Sequence, residues 1–342
     1  MPSTPNRSGR RVTISDVAAA AGVSRTTASD ALNGKGRVEA ATRERVAQTA
    51  VRLGYQTNRT ARSLRSGRSG ILALLVPVVG TGDQGDETVG LDYYMHLASS
   101  ITAAAFQHDH AVILVPPLGS IRDLRAFPVD GAIVADPVDG DPRVQMLDGL
   151  GVPVVTVERD LQRRDPWYVA SDNAGNARLV LDHLAGAGAR RIALMVPEVT
   201  WAWRMETVTA YRAWAAERDM AARVVSVPPL GLESNSYVAA YELLAGAERP
   251  DAIFALAERF STGVLRAAAE RGLGVPEDLL VVAGVDSHQA RAGDPSVTAL
   301  DLDPQAQAAA AVAMLIARLE GAAVEAPQYT VATLHVRAST RR

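Results

Sequence analysis

The chain of 342 residues contains no cysteine. That excludes a disulfide framework, thiol chemistry and a cysteine-held zinc. Aromatic residues are only 5% against 48% hydrophobic residues overall, so a core must be built mostly from alanine, valine and leucine. No run reaches the roughly 18 uninterrupted apolar residues of a membrane-spanning helix. The opening residues, MPSTPNRSGRR, lack the apolar stretch of a secretory signal. A cytoplasmic, nucleoid-associated protein without a membrane partner is therefore expected. HExxH metal spacing, GxSxG and a P-loop are all missing. Gly186-Ala187-Gly188 follows a helical stretch and precedes a strand, the wrong order for a dinucleotide fingerprint. Neither an enzyme nor a cofactor or metal site is expected.

What is present is an uneven charge. Residues 1–70 hold thirteen basic and four acidic residues, a net of +9, whereas the whole chain is −3 and residues 71–342 therefore carry −12. Such a split suggests a nucleic-acid-binding arm on an acidic body, with the arm supplying salt-dependent affinity for phosphates. Within it, VTISDVAAAAGVSRTTASDALN (12–33) reads as two short helices around a sharp turn, a helix-turn-helix. Thr13 and Asp16 have capping-box spacing, and Val17, Ala18 and Ala21 share a helical face. Gly22 suits the left-handed stop, and Ser24 starts the second helix. Arg25, Thr26, Ser29 and Asp30 fall on its outer side. A third helix fits Ala40 to Leu53, with Val46, Ala47, Ala50 and Leu53 on one face and Gly54 as its stop. NRTARSLRSGRSG (58–70) fits a brief basic helix from about Arg59 to Leu64, too short to be stable alone. It could order on DNA, with Leu64 as a minor-groove wedge, or be a basic linker.

From Ile71 onward, short β-branched runs alternate with helical segments: Ile71–Val76, Ala111–Val115, Gly131–Val134 and Val154–Val157, then a second series from Ile192. This implies parallel sheets with helices on both faces, too long for one doubly wound domain. Ligands of such sheets bind beyond the carboxyl ends of the strands. The residues to watch are therefore Asp92, Tyr93 and Tyr94, Glu158 and Arg159, Trp201 and Trp203, Glu258 and Arg259, and Asp286. Carboxylates there accept hydroxyl hydrogen bonds and aromatic faces stack on rings. Trp201 and Trp203, two apart in a strand-like segment, would point the same way, into a core, a dimer face or a ligand. Tyr93 and Tyr94 would precede the first body helix and pack its start or face a pocket. Glu158 would hold ligand or merely bridge a crossover.

VTISDVAAAAGVSRTTASDALN, TRERVAQTAVRLGYQTNRTARSLRSG, GILALLVP, VPVVTVERD, ASDNAGNARLVLDHLAGAGARRIAL, VVAGVDS and VRASTRR together resemble the LacI/GalR family of transcriptional regulators across nearly the whole chain from Arg11. The resemblance implies an all-α helix-turn-helix DNA-binding domain plus an α/β periplasmic-binding-protein-like body of two doubly wound parallel-sheet subdomains. The expected divisions are a tail (1–10), the DNA-binding domain (11–57), a hinge helix and linker (58–69) and the body (70–342). Within the body, an N-subdomain spans about 70–160 plus 302–330 and a C-subdomain about 172–296. The resemblance implies a repressor that binds a near-palindromic duplex operator as a homodimer or tetramer, with a small-molecule effector, such as a sugar, in the body cleft. A solute-binding protein and a nonspecific DNA-architectural protein are the alternatives.

The candidate DNA contacts are Thr13, Ser15, Ser24, Arg25, Thr26, Thr27, Ser29, Asp30, Asn33, Tyr55, Asn58, Arg59, Ala61 and Leu64. Arg25, Thr26 and Asp30 are the expected base readers. Asp30 departs from many relatives; it either accepts from cytosine or faces solvent as a filter. The candidate ligand contacts are Tyr93, Tyr94, Glu158, Arg159, Trp203, Thr207, Glu258 and Asp286. Asp286 matches the family's ligand-contact aspartate. Thr207 stands where relatives often carry an arginine that grips ligand oxygens, which puts an anionic effector in doubt.

Overall fold

The computed structural model describes residues 12–32, 36–55, 68–77, 91–115, 127–229 and 231–342. The chain divides into two compact units, Met1–Ser69 and Gly70–Arg342.

The first unit contains α1 (Ile14–Ala21), α2 (Arg25–Leu32) and α3 (Ala40–Arg52). Their shared core is built of small side chains: Val17, Ala18, Ala21, Ala28, Ala31, Val46 and Ala50 are buried together. Alanine at these contacts lets short helices approach closely. On α3 the buried face is Val46, Thr49 and Ala50, while Ala47 is only half-buried. The expected face was therefore one step off at that position, and the Thr49 methyl group can serve as an apolar surface. Arg45 ties α3 to α1 by donating from Nε to the Ala21 carbonyl at 3.2 Å, which satisfies a helix-end acceptor.

The second unit holds two six-stranded sheets. The first contains β1 (Ile71–Leu75), β2 (Ala111–Leu114), β3 (Gly131–Ala135), β4 (Val154–Val157) and β5 (Tyr168–Ser171), with β11 (Gln328–Thr330) at an edge, in the order β11-β5-β4-β3-β1-β2. The second contains β6 (Ile192–Pro197), β7 (Arg223–Val227), β8 (Ala252–Ala255), β9 (Leu280–Ala283) and β10 (Thr298–Asp301), with β12 (Thr333–His335) at an edge, in the order β12-β10-β9-β8-β6-β7. All pairings are parallel except β10 with β12.

Helices cover both faces of each sheet. Leu72 and Leu74 of β1 pack with α4 (Leu91–Gln107) and α11 (Pro304–Leu319), while Ala73 and Leu75 pack under α5 (Pro142–Gly149). The alternation is the period-2 geometry of a strand buried on both sides. In the second sheet, α6 (Asn173–Gly186) and α7 (Ala202–Ala216) cover one face; α8 (Leu232–Leu243), α9 (Phe260–Glu270) and the short α10 (His288–Ala292) cover the other. The few large aromatics anchor this second half: Trp201, Trp214, Tyr211, Phe254 and Phe260 are all fully buried. The chain passes between the sheets after β5, after β10 and after β11.

Three elements depart from the expected outline. The first body helix begins at Leu91, so Asp92, Tyr93 and Tyr94 lie in its first turn and do not precede it. Trp201 and Trp203 are not in a strand: Trp201 is the extended residue just before α7 and Trp203 is within its first turn. Their rings stack at 5.2 Å with 24° between planes, Trp201 buried beneath Trp203. Strands β5, β10, β11 and β12 fall outside the expected runs.

Candidate functional site

The helix-turn-helix surface is set by local hydrogen bonds. Asp16 Oδ2 accepts from the Thr13 backbone N–H at 2.8 Å and from its hydroxyl at 2.7 Å, holding the start of α1. Gly22, at φ +66°, ends α1 in the left-handed conformation. Ser24 Oγ accepts from the Thr27 N–H at 3.0 Å, and the two hydroxyls meet at 2.8 Å. Arg25 and Thr26 are exposed on α2, as are Thr13, Ser15 and Ser24, whereas Thr27, Ser29 and Asp30 are half-buried. Asp30 turns toward the segment after α2: a Cβ on Gly36, which has φ +69°, would stand 3.0 Å from its Oδ2. Asp30 lies one turn beyond Thr26 on α2 and is half-buried. Tyr55 packs against the core of this unit, and its N–H donates to the Ala50 carbonyl at 2.9 Å. Asn33, Asn58, Arg59, Ala61 and Leu64 lie outside the described residues.

In the body, a cleft opens among residues from both sheets. Strand ends, where doubly wound sheets present loops to ligands, supply its polar groups. Asp136 follows β3, Glu158 follows β4, Glu258 lies just beyond β8 and Gly284 follows β9. Asp136 and Glu158 have positive φ, 40° and 70°, conformations uncommon for residues with side chains and concentrated at functional sites.

Tyr94 donates its hydroxyl to Asp136 Oδ2, and Tyr93 donates to Gln307 Oε1 at 2.5 Å. Burial pushes the Asp136 carboxyl up to about 6, against the opposing effects of the Tyr94 hydrogen bond and the Arg143 charge. Burial, then the nearby Asp136, pushes Glu158 up to about 8, although Glu158 accepts from the Ser171 N–H at 2.9 Å and the Asn173 carboxamide at 3.0 Å. Glu258 is also raised, first by burial; the Asp92 N–H, at 3.4 Å from its Oε1, offsets only part of this. The apolar walls include Trp203, Phe254, Leu256 and Leu302.

Of the eight anticipated ligand residues, Tyr93, Tyr94, Glu158, Trp203, Thr207 and Glu258 line this cavity. Arg159 and Asp286 do not. Arg159 Nη2 is engaged with Glu206 Oε1 at 2.7 Å. The Asp286 carboxylate is clamped by Arg337 at 2.8 Å and by Arg291 at 3.3 Å, and its neighbours Gly284 and Val285 take the lining positions instead. Asp136, Asn173 and Asn176 were missed. The strand-end rule that picked Glu158 applies equally to Asp136; the two asparagines sit in the first turn of α6, which follows the unpredicted β5. Among the described residues, no group of three or more His, Cys, Asp or Glu side chains is placed to hold a metal ion, and no helix is long and apolar enough to cross a membrane.

A helix-turn-helix unit joined to a two-sheet, cleft-bearing body defines a DNA-binding regulator built on a periplasmic-binding-protein scaffold. The profile of bacterial regulatory proteins of the lacI family matches residues 13–58, and that of a periplasmic binding protein-like domain matches residues 181–340. The HTH-type transcriptional regulator CelR of Thermobifida fusca is 30% identical over 326 residues, 92% of this chain and 94% of the relative. The ribose operon repressor of Halalkalibacterium halodurans is 27% identical over 337 residues, 96% and 97% of the two chains. Among solved structures, a CelR–cellobiose complex superposes with a TM-score of 0.70 at 28% identity, covering 96% of this chain and all 100% of that one. The lac repressor dimer bound to operator and the anti-inducer ONPF has the same fold, with a TM-score of 0.75 at 22% identity over 97% of this chain and 99% of that one. The chain belongs to the LacI family and is a DNA-binding transcriptional regulator.

Proposed function

We propose that this regulator represses transcription as a homodimer on a near-palindromic operator and that a non-anionic, polyhydroxylated effector in the body cleft controls its grip. Two-fold symmetry would present two α2 helices to half-sites of opposite orientation. Arg25 and Thr26 are the base readers of this proposal; Thr13, Ser15 and Ser24 contact phosphate or cap helices. Asn58, Arg59, Ala61 and Leu64 belong to a hinge that engages the minor groove. Asp286, which lines a neighbouring cavity with Tyr93, Val285 and Leu302, and Arg159 are given no direct contact with the effector in this proposal.

The observation that carries the effector class is the cleft wall. It presents the carboxylates of Asp136, Glu158 and Glu258 beside Trp203, and among the described residues no lysine or arginine lines it. A carboxylate- or phosphate-bearing ligand would meet repulsion there, whereas hydroxyls would donate to the acids and a sugar ring would stack on the indole. CelR, whose complex contains cellobiose, supports a carbohydrate. The test is selection of random duplexes on the full-length protein at near-physiological salt, followed by titration of the selected duplex with neutral sugars including cellobiose. Enrichment of one near-palindrome whose affinity shifts with a sugar is expected. Binding without enrichment that collapses as salt rises would refute the operator reading.

A further inference from the structure

The cleft contains two buried polar atoms without a partner, and their chemistries differ. Glu258, only 2% exposed, has an Oε2 with no hydrogen-bond partner among the described residues. Asn176, 8% exposed, has an Nδ2 in the same position. Both residues line the cavity. Buried groups of this kind cost free energy unless something fills them, so the empty cleft is complementary to a ligand bearing one strong donor and one acceptor.

The surrounding charges narrow the donor. Three acidic side chains line the cavity, and among the described residues no lysine or arginine lines it. Arg143 is held by Asp141 at 2.7 Å and by the Ala135 and Asp136 carbonyls. Arg159 is held by Glu206. Several donors on the wall are spent: Tyr94 on Asp136, Tyr93 on Gln307, and Asn173 on both Glu158 and Glu206. A hydroxyl ligand would satisfy the two orphan atoms only with neutral-donor bonds, in a site of low dielectric where a charge on the donor strengthens the bond most. An ammonium satisfies Glu258 Oε2 with a charge-assisted bond, the stronger kind.

We infer that the effector is a hydroxylated amine, an amino sugar or aminocyclitol in its protonated form, with the ammonium at Glu258 Oε2 and a hydroxyl or ring oxygen accepting from Asn176 Nδ2. This rests on the polyhydroxylated-effector reading above and specifies its class.

The test uses wild-type full-length protein and matched ligand pairs in calorimetry at pH 7: glucosamine against glucose, the β-1,4-linked glucosamine disaccharide against cellobiose, and 1-deoxynojirimycin against 1,5-anhydroglucitol. In at least one pair the amine is expected to bind about tenfold or more tighter than its neutral twin, in line with a charge-assisted bond replacing a neutral one. Neutral members binding as tightly as, or tighter than, their amine twins would overturn the inference and leave the polyhydroxylated-effector reading standing. Absence of binding by every member would overturn both. Glu258→Gln should weaken the amine by a larger factor than its neutral twin; an equal loss for both twins would overturn the ammonium contact.

Discussion

Glu158→Gln should change how the stability of this protein depends on pH. In the folded chain the Glu158 carboxyl sits at about 8, raised from an ordinary 4.5 mainly by burial. Between those values the folded state keeps a proton that the unfolded state has released. The unfolded chain thus binds fewer protons, and stability falls as pH rises from about 4.5 through 8. With 1.36 kcal/mol per pH unit as the limiting slope, the loss from pH 5 to pH 7 through this one group is on the order of 2 kcal/mol. For a body of this size that corresponds to a drop of roughly 4–8 °C in melting temperature. Asp136, raised to about 6, adds loss of the same sign at the acid end. Glutamine keeps an acceptor for the Ser171 N–H but places its amide opposite the Asn173 Nδ2 donor. The variant should therefore lose about 1 kcal/mol at every pH and in addition lose the Glu158 part of the slope. Thermal melts of both proteins at half-unit steps from pH 5 to 8, without effector, provide the comparison. Melting curves that stay parallel across the range would refute the buried, protonated Glu158 described here.

Two further outcomes are expected. Gly263→Ala should destabilise the body by about 1–3 kcal/mol in chemical denaturation, because a Cβ there would lie 2.2 Å from Ser236 Oγ and 2.6 Å from the Glu233 carbonyl and Tyr237 nitrogen at the α8–α9 contact; an unchanged midpoint would show that the two helices separate freely. Arg25→Ala should narrow the gap between the selected operator and a single-base variant of it by about 1–3 kcal/mol, while a uniform loss on all duplexes would make Arg25 a phosphate contact.

The parts of this protein written in local chemistry were legible before any fold was known. The Thr13–Asp16 spacing, the Gly22 stop and the Ser24 cap act over three or four residues, so the helix-turn-helix followed from the sequence. Charge asymmetry separated the arm from the body, and alternating apolar runs announced two parallel sheets, because strand and helix periodicities are properties of neighbours in the chain. Strand ends also pointed to Glu158 and Glu258, both of which line the cavity.

Long-range geometry decided the rest. Asp286 occupies the expected strand end, yet Arg337, 51 residues away, pairs with its carboxylate. Asp30 lies on the expected helix but turns toward Gly36. Trp201 and Trp203 stack because a helix begins between them. Which carboxylates are buried, which donors are spent on them, and which atoms are left open depends on partners brought together from both sheets. Desolvation and hydrogen-bond saturation belong to the assembled cleft, and no pattern within a short stretch of chain encodes them.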